Sequence, residues 1–149
     1  LRNSSAASDV YKRQLQYFLV VKDCIFVLME IIEIIIDKKI FSSEDIEELG
    51  IVENQCLKLV NFKNSSDLTV DDEVLKNFDC VVTANELGSA IKKISDGKIV
   101  EHLNRENYKK LTYPLFLKSE TFLQFLKENN SEWNLINFLE NHTFMINQI

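Results

Sequence analysis

The sequence predicts an all-α fold of helices stacked as antiparallel neighbours, and three observations predict it. First, the 149 residues include only three glycines and one proline, where average usage would supply roughly 18 of the two together. A sandwich or barrel needs a turn every ten residues or so, and turns lean on those residues. Second, the charges between Lys22 and Phe41, namely Asp23, Glu30, Glu33 and Asp37, fall on one stripe at helical spacing in an otherwise apolar run. Third, Thr83 and Glu86 have the spacing of a capping box, and Ala84, Leu87, Ala90, Ile91 and Ile94 accompany them at helical intervals. With 46% hydrophobic residues there is ample material for a core.

The elements follow in order. Residues 1–14, LRNSSAASDVYKRQ, are polar and aperiodic. They resemble a translated sequencing adapter and are set aside as a disordered adapter or cloning scar. That leaves 15–149 as one partial helical domain. Residues 15–41 predict a helix wet along one narrow face. Such a helix needs neighbours on both sides, as a solenoid or the centre of a bundle supplies. Ser42 and Ser43 cap the short acidic helix SEDIEELG, which Gly50 ends. From Val52 to Phe62, the residues Val52, Cys56, Leu57, Leu59 and Val60 share a helix side, and residues 63–67 form a loop. Thr69 caps the next helix, with Asp71 and Asp72 in the first turn, where the helix dipole favours negative charge.

Ser95-Asp96-Gly97 stops the helix that Thr83 opens, and Lys98 to Leu111 predicts another. Tyr113-Pro114 breaks the chain, because proline disfavours helix at the residue before it. Helices follow over Leu115–Glu128 and Glu132–Asn141, and Thr143–Ile149 reads as the start of one more. On Leu115–Glu128 the apolar set Phe122, Phe125 and Leu126 takes the inner face. Lys118, Gln124 and Lys127 remain for solvent or a protein partner, and they are the candidate partner-binding residues.

Charge and chemistry exclude more than they assign. The 17 basic and 23 acidic residues give a formal charge of −6, which lacks the footprint of a nucleic-acid binder. A helix-turn-helix reading around Gly50 fails on the same ground, since Glu44, Asp45, Glu47 and Glu48 would face phosphate. Cys24, Cys56 and Cys80 are scattered, His102 and His142 lack metal-type spacing, and neither metal nor cofactor is expected. Buried free thiols suit a reducing cytoplasm. No phosphate loop, HExxH or GxSxG occurs, so a non-enzymatic protein is expected. No uncharged apolar run approaches the ~18–20 residues of a membrane span, so no membrane insertion is expected.

Two resemblances sharpen this. Leu75, Lys76, Phe78, Asp79, Ala84, Gly88, Ile91 and Lys92, then KIVEHL at 98–103, Tyr108, SETFLQF at 119–125 and FLENH at 138–142, resemble in order and spacing the calcium-binding protein 39 family. The resemblance implies an armadillo/HEAT-like α-solenoid acting as a cytoplasmic signalling scaffold. Its partners would be protein kinases or pseudokinases of the sterile-20 class, held in their active state. No calcium site accompanies it. As the alternative, Phe122, Phe125, Leu126, Ser131, Glu132 and Asn134 are similar to the middle of domains that regulate G-protein signalling, which would imply action on a Gα subunit.

Overall fold

The computed structural model describes residues 12–21, 24–61 and 67–148, and it is a mixed α/β sheet rather than a stack of helices. Strands β1 (Lys12–Val21) and β2 (Cys24–Ile35) form an antiparallel pair. Helix α1 (Ser43–Leu49) leads to β3 (Cys56–Val60), and the short α2 (Val74–Asn77) leads to β4 (Cys80–Glu86). A hairpin of β5 (Ile91–Ser95) and β6 (Lys98–Leu103) precedes β7 (Lys109–Lys118). Helices α3 (Ser119–Glu128) and α4 (Leu135–Glu140) then precede β8 (Phe144–Gln148).

Six strands form one sheet in the order β1-β2-β3-β7-β4-β8, and β5-β6 is a separate two-stranded ribbon. β2, β3, β4 and β8 run in one direction, while β1 and β7 run against them.

The all-α, armadillo/HEAT-like solenoid is therefore corrected, and particular residues explain why. Of the stripe Asp23, Glu30, Glu33 and Asp37, Asp23 lies outside the described residues, and the other three do not mark a wet helix face, since Glu30 and Glu33 lie in β2 and Asp37 follows it. Glu33 is buried in β2 and pairs with the buried Lys58 of β3 at 3.4 Å, directly across the parallel register. Five isoleucines in 31–36 fit the pleated surface of a strand. Thr83 does not cap a helix. It lies in β4, and its hydroxyl donates to the Pro114 carbonyl at 2.8 Å.

The segments 52–62, 98–111 and 143–149, read as helices, instead carry β3, β6 with the start of β7, and β8. Leu115–Lys118 belongs to β7, and the helix begins only at Ser119. Pro114 sits inside a central strand because β7 bulges there. Val82 faces Leu115 but Thr83 faces Thr112, so Tyr113 and Pro114 stand out of register. The low glycine count misleads because other residues make the turns: Asn54, Asp96, Asn130 and Ser131 all hold positive φ, beside Gly50 and Gly97.

Other expectations hold. Ser42 caps α1 in a full capping box with Asp45, and Gly50 closes it at φ 60°. Phe122, Phe125 and Leu126 are buried. Of the segment set aside as a scar, residues 12–14 open β1 opposite Ile34, Glu33 and Ile32, and residues 1–11 lie outside the described residues.

The larger core lies on one sheet face. Leu57, Leu59, Val82, Leu115 and Leu117 meet Leu49 of α1, Phe122, Phe125 and Leu126 of α3, and Phe138 and Leu139 of α4. Trp133 packs tilted or edge-on among Phe122, Phe125 and Phe138 with ring centres 5.2–5.4 Å apart. On the opposite face Leu75, Leu68 and Val70 cover Ile31, Cys56, Val81 and Phe116. Among the described residues, no helix is long and apolar enough to cross a membrane.

Candidate functional site

Four parallel strands end at one rim of the sheet, at Ile35, Val60, Glu86 and Gln148. In open α/β sheets, ligands bind in the crevice outside such carboxyl ends. The chain leaves β2 through Ile36, Asp37, Lys38 and Lys39, and this segment meets the turn after α3. Trp133 N donates to the Lys39 carbonyl at 2.6 Å, and Phe41 N donates to the Ser131 carbonyl at 2.9 Å. The consecutive left-handed residues Asn130 and Ser131 let the chain double back to make this contact.

An open hollow of about 430 Å³ results, lined by residues 36–39, Tyr113 and residues 133–136. Its wall mixes apolar Ile36, Leu135 and Ile136 with the charges of Asp37, Lys38 and Lys39. Trp133 Nε1 donates to the Tyr113 hydroxyl at 2.9 Å, which fixes both rings at the hollow's edge. Burial pushes the Tyr113 phenol up, partly offset by that hydrogen bond. Lys38 donates to Asp45 of α1 at 2.6 Å. Together with hydrogen bonds from Ser42, this holds the Asp45 carboxyl down at about 2. Asp37 and Lys39 are exposed.

A second hollow, about 250 Å³, lies at the opposite rim, around Asn54, Gln55, Cys56, Asp72, Leu75, Lys76 and Lys118. Its thiol is inert, because burial and then the Asp72 charge push Cys56 up to about 12. Cys80, also free and buried, is raised to about 12 by burial and then by Asp79.

The residues expected to bind a partner do not converge. Lys118 opens onto this second hollow, the Gln124 amide donates to Glu128 at 2.6 Å, and Lys127 is exposed farther along α3. Among the described residues, no three His, Cys, Asp or Glu side chains gather to hold a metal. Sequence reading missed the rim group Asp37, Lys38, Lys39. The available signal was an apolar β-branched run that ends abruptly in charge, as a strand reaching a sheet edge does.

No family model matches the chain, and no curated protein matches it. Solved structures similar to it include the 4-diphosphocytidyl-2C-methyl-D-erythritol synthase of Anaerococcus prevotii, at 15% identity and TM-score 0.48, covering 70% of this chain and 55% of that one. The bifunctional IspDF of Campylobacter jejuni follows at 15% identity and TM-score 0.44, covering 69% of this chain and 28% of that one. The nucleoside-diphosphate-sugar pyrophosphorylase of Vibrio cholerae has 16% identity and TM-score 0.41, covering 72% of this chain and 55% of that one. The chain thus spans about half or less of these proteins' length.

The first and third titles name a synthase and a pyrophosphorylase, and none names an armadillo scaffold. The mixed sheet corrects the resemblance to the calcium-binding protein 39 family, and with it the kinase-scaffold function and the Gα-regulator alternative, both of which were read on an all-helical chain; the expectation of a non-enzymatic protein is withdrawn with them. The first of these needed a concave wall of stacked helices, and the sheet leaves none.

Proposed function

We propose that the chain is part of an α/β enzyme that binds a phosphate-bearing ligand at the carboxyl rim, with a nucleoside triphosphate as the best-fitting class. The rim hollow carries this reading. It offers an apolar wall for a ring system beside the exposed ammonium of Lys39 and the charged turn from Asp37 to Lys39. Such a pairing of apolar surface with a few polar groups is typical of ligand sites. Nucleotide chemistry is also what two of the three similar structures name in their titles. The free, buried thiols Cys56 and Cys80 support a reducing compartment, the cytoplasm.

Calorimetric titration with nucleoside triphosphates, with and without magnesium, tests the reading. Saturable binding is expected, and Lys39→Glu should weaken it by roughly tenfold or more, the scale of a lost charge-assisted contact. The absence of binding by any nucleoside triphosphate, or binding unchanged by Lys39→Glu, would refute it.

A further inference from the structure

The second hollow, at the rim opposite the carboxyl ends, is faced by opposite charges that do not meet. Lys118 closes β7 beside Cys56, its cross-strand partner on β3, and is exposed. Asp72 reaches the same hollow from the turn before α2, and its charge acts on the Cys56 thiol and on Lys76. Among the described residues, neither the Lys118 nor the Asp72 side chain makes an ion pair or a hydrogen bond, with each other or with any other group. The charges around them are already answered. Lys76 pairs with Glu73 at 2.5 Å, and the Glu120 carboxylate accepts from Asn54 N.

Gln55 adds a third group. It is 8% exposed, so its carboxamide is held nearly out of water. The carboxamide oxygen accepts from Val52 N at 3.0 Å, which fixes the side chain and leaves the amide nitrogen as its open end. Those two N–H donors have no partner among the described residues, and Gln55 lines the hollow. An unpaired donor in so dry a place is costly, and a native structure that keeps one calls for an explanation. Leu75 and Cys56, both buried, give the same hollow an apolar floor.

We propose that this hollow binds a small zwitterion, a free α-amino acid, with its carboxylate on Lys118 and the Gln55 amide and its ammonium on Asp72. The ligand's side chain lies on Leu75 and Cys56. An anion alone would satisfy Lys118 and Gln55 but meet the like charge of Asp72, and a cation alone would meet Lys118. A molecule that carries both charges a few bonds apart answers all three groups, through the stronger charge-assisted hydrogen bonds. At about 250 Å³ the void is smaller than the sites of drug-sized ligands, as a ligand of this size requires. It shares no lining residue with the hollow proposed for the nucleotide.

Calorimetric titration of the full chain with the standard amino acids tests this, with acetate, inorganic phosphate and ethylammonium as single-charge probes. Saturable binding of at least one amino acid is expected, and each single-charge probe should bind roughly tenfold less tightly or worse. Lys118→Met and Asp72→Asn should each weaken the amino acid roughly tenfold or more, the scale of one lost charge-assisted contact. Melting midpoints of the ligand-free variants should stay near the parent's, because both side chains are exposed and unpaired. Failure of every amino acid to bind overturns the proposal, and so does binding indifferent to either substitution. Acetate, phosphate or ethylammonium binding as tightly as the best amino acid makes the hollow a simple ion site and overturns it equally.

Discussion

Phe125 sits at the point where the aromatic core closes. It is 2% exposed and meets Trp133, Phe138 and His142 at ring separations of 5.4, 5.2 and 6.1 Å. Phe125→Ala removes those contacts and leaves a cavity, so it should cost about 3–5 kcal/mol, read as a lowered midpoint in urea. An unchanged midpoint would show that the face is not packed.

Asp45 gives a pH signature of opposite origin. Its carboxyl is held down from 3.8 to about 2 by Lys38 and Ser42. A lowered folded pKa contributes stability that is present above the unfolded value and is lost as pH falls through the folded one. Between about pH 4 and pH 2, therefore, the protein should lose a small increment of stability that Asp45→Asn lacks. Parallel acid titrations of the melting midpoint check this, and the increment is small because the pair lies at the surface. At this scale much was legible in the letters. Phe122, Phe125 and Leu126 share a helical face, and Ser42 and Gly50 bracket α1. The Glu33–Lys58 pair was not legible, because nothing in the spacing of Glu33 tells a buried carboxylate from a wet one until its cross-strand partner is known.

At the scale of elements, local signals served the helices and failed the strands. Helical caps and faces are local, whereas a strand's stability comes from neighbours distant in sequence. β7 packs between β3 and β4, and no spacing within residues 109–118 announces those partners. The candidate rim depends on the same long-range pairing, which is why Asp37, Lys38 and Lys39 looked like the end of a helix. The structure also divides the strands into two stability classes. β3 is buried along its whole length between β2 and β7, while most of β5 and β6 is exposed. Amide hydrogen exchange should follow that division. Amides of Leu57 and Leu59 should exchange only with global unfolding, and those of Lys93 and Val100 orders of magnitude faster. Equal protection in both would contradict the ribbon's independence from the core.

At the scale of the whole molecule, the sheet gathers one kind of edge. Four parallel strands, the Asp37–Lys39 segment, and the chain from Trp133 to Ile136 meet at the carboxyl rim, and the β5-β6 ribbon leaves from that same rim. On the proposed function, the carboxyl rim holds the nucleoside triphosphate. Backbone chemical-shift mapping during titration with a nucleoside triphosphate tests it most directly. Saturable shifts concentrated at residues 36–39, 113 and 133–136 are expected. Shifts centred on the opposite hollow at Asn54, Cys56 and Lys118, or no saturable shifts at all, would contradict it.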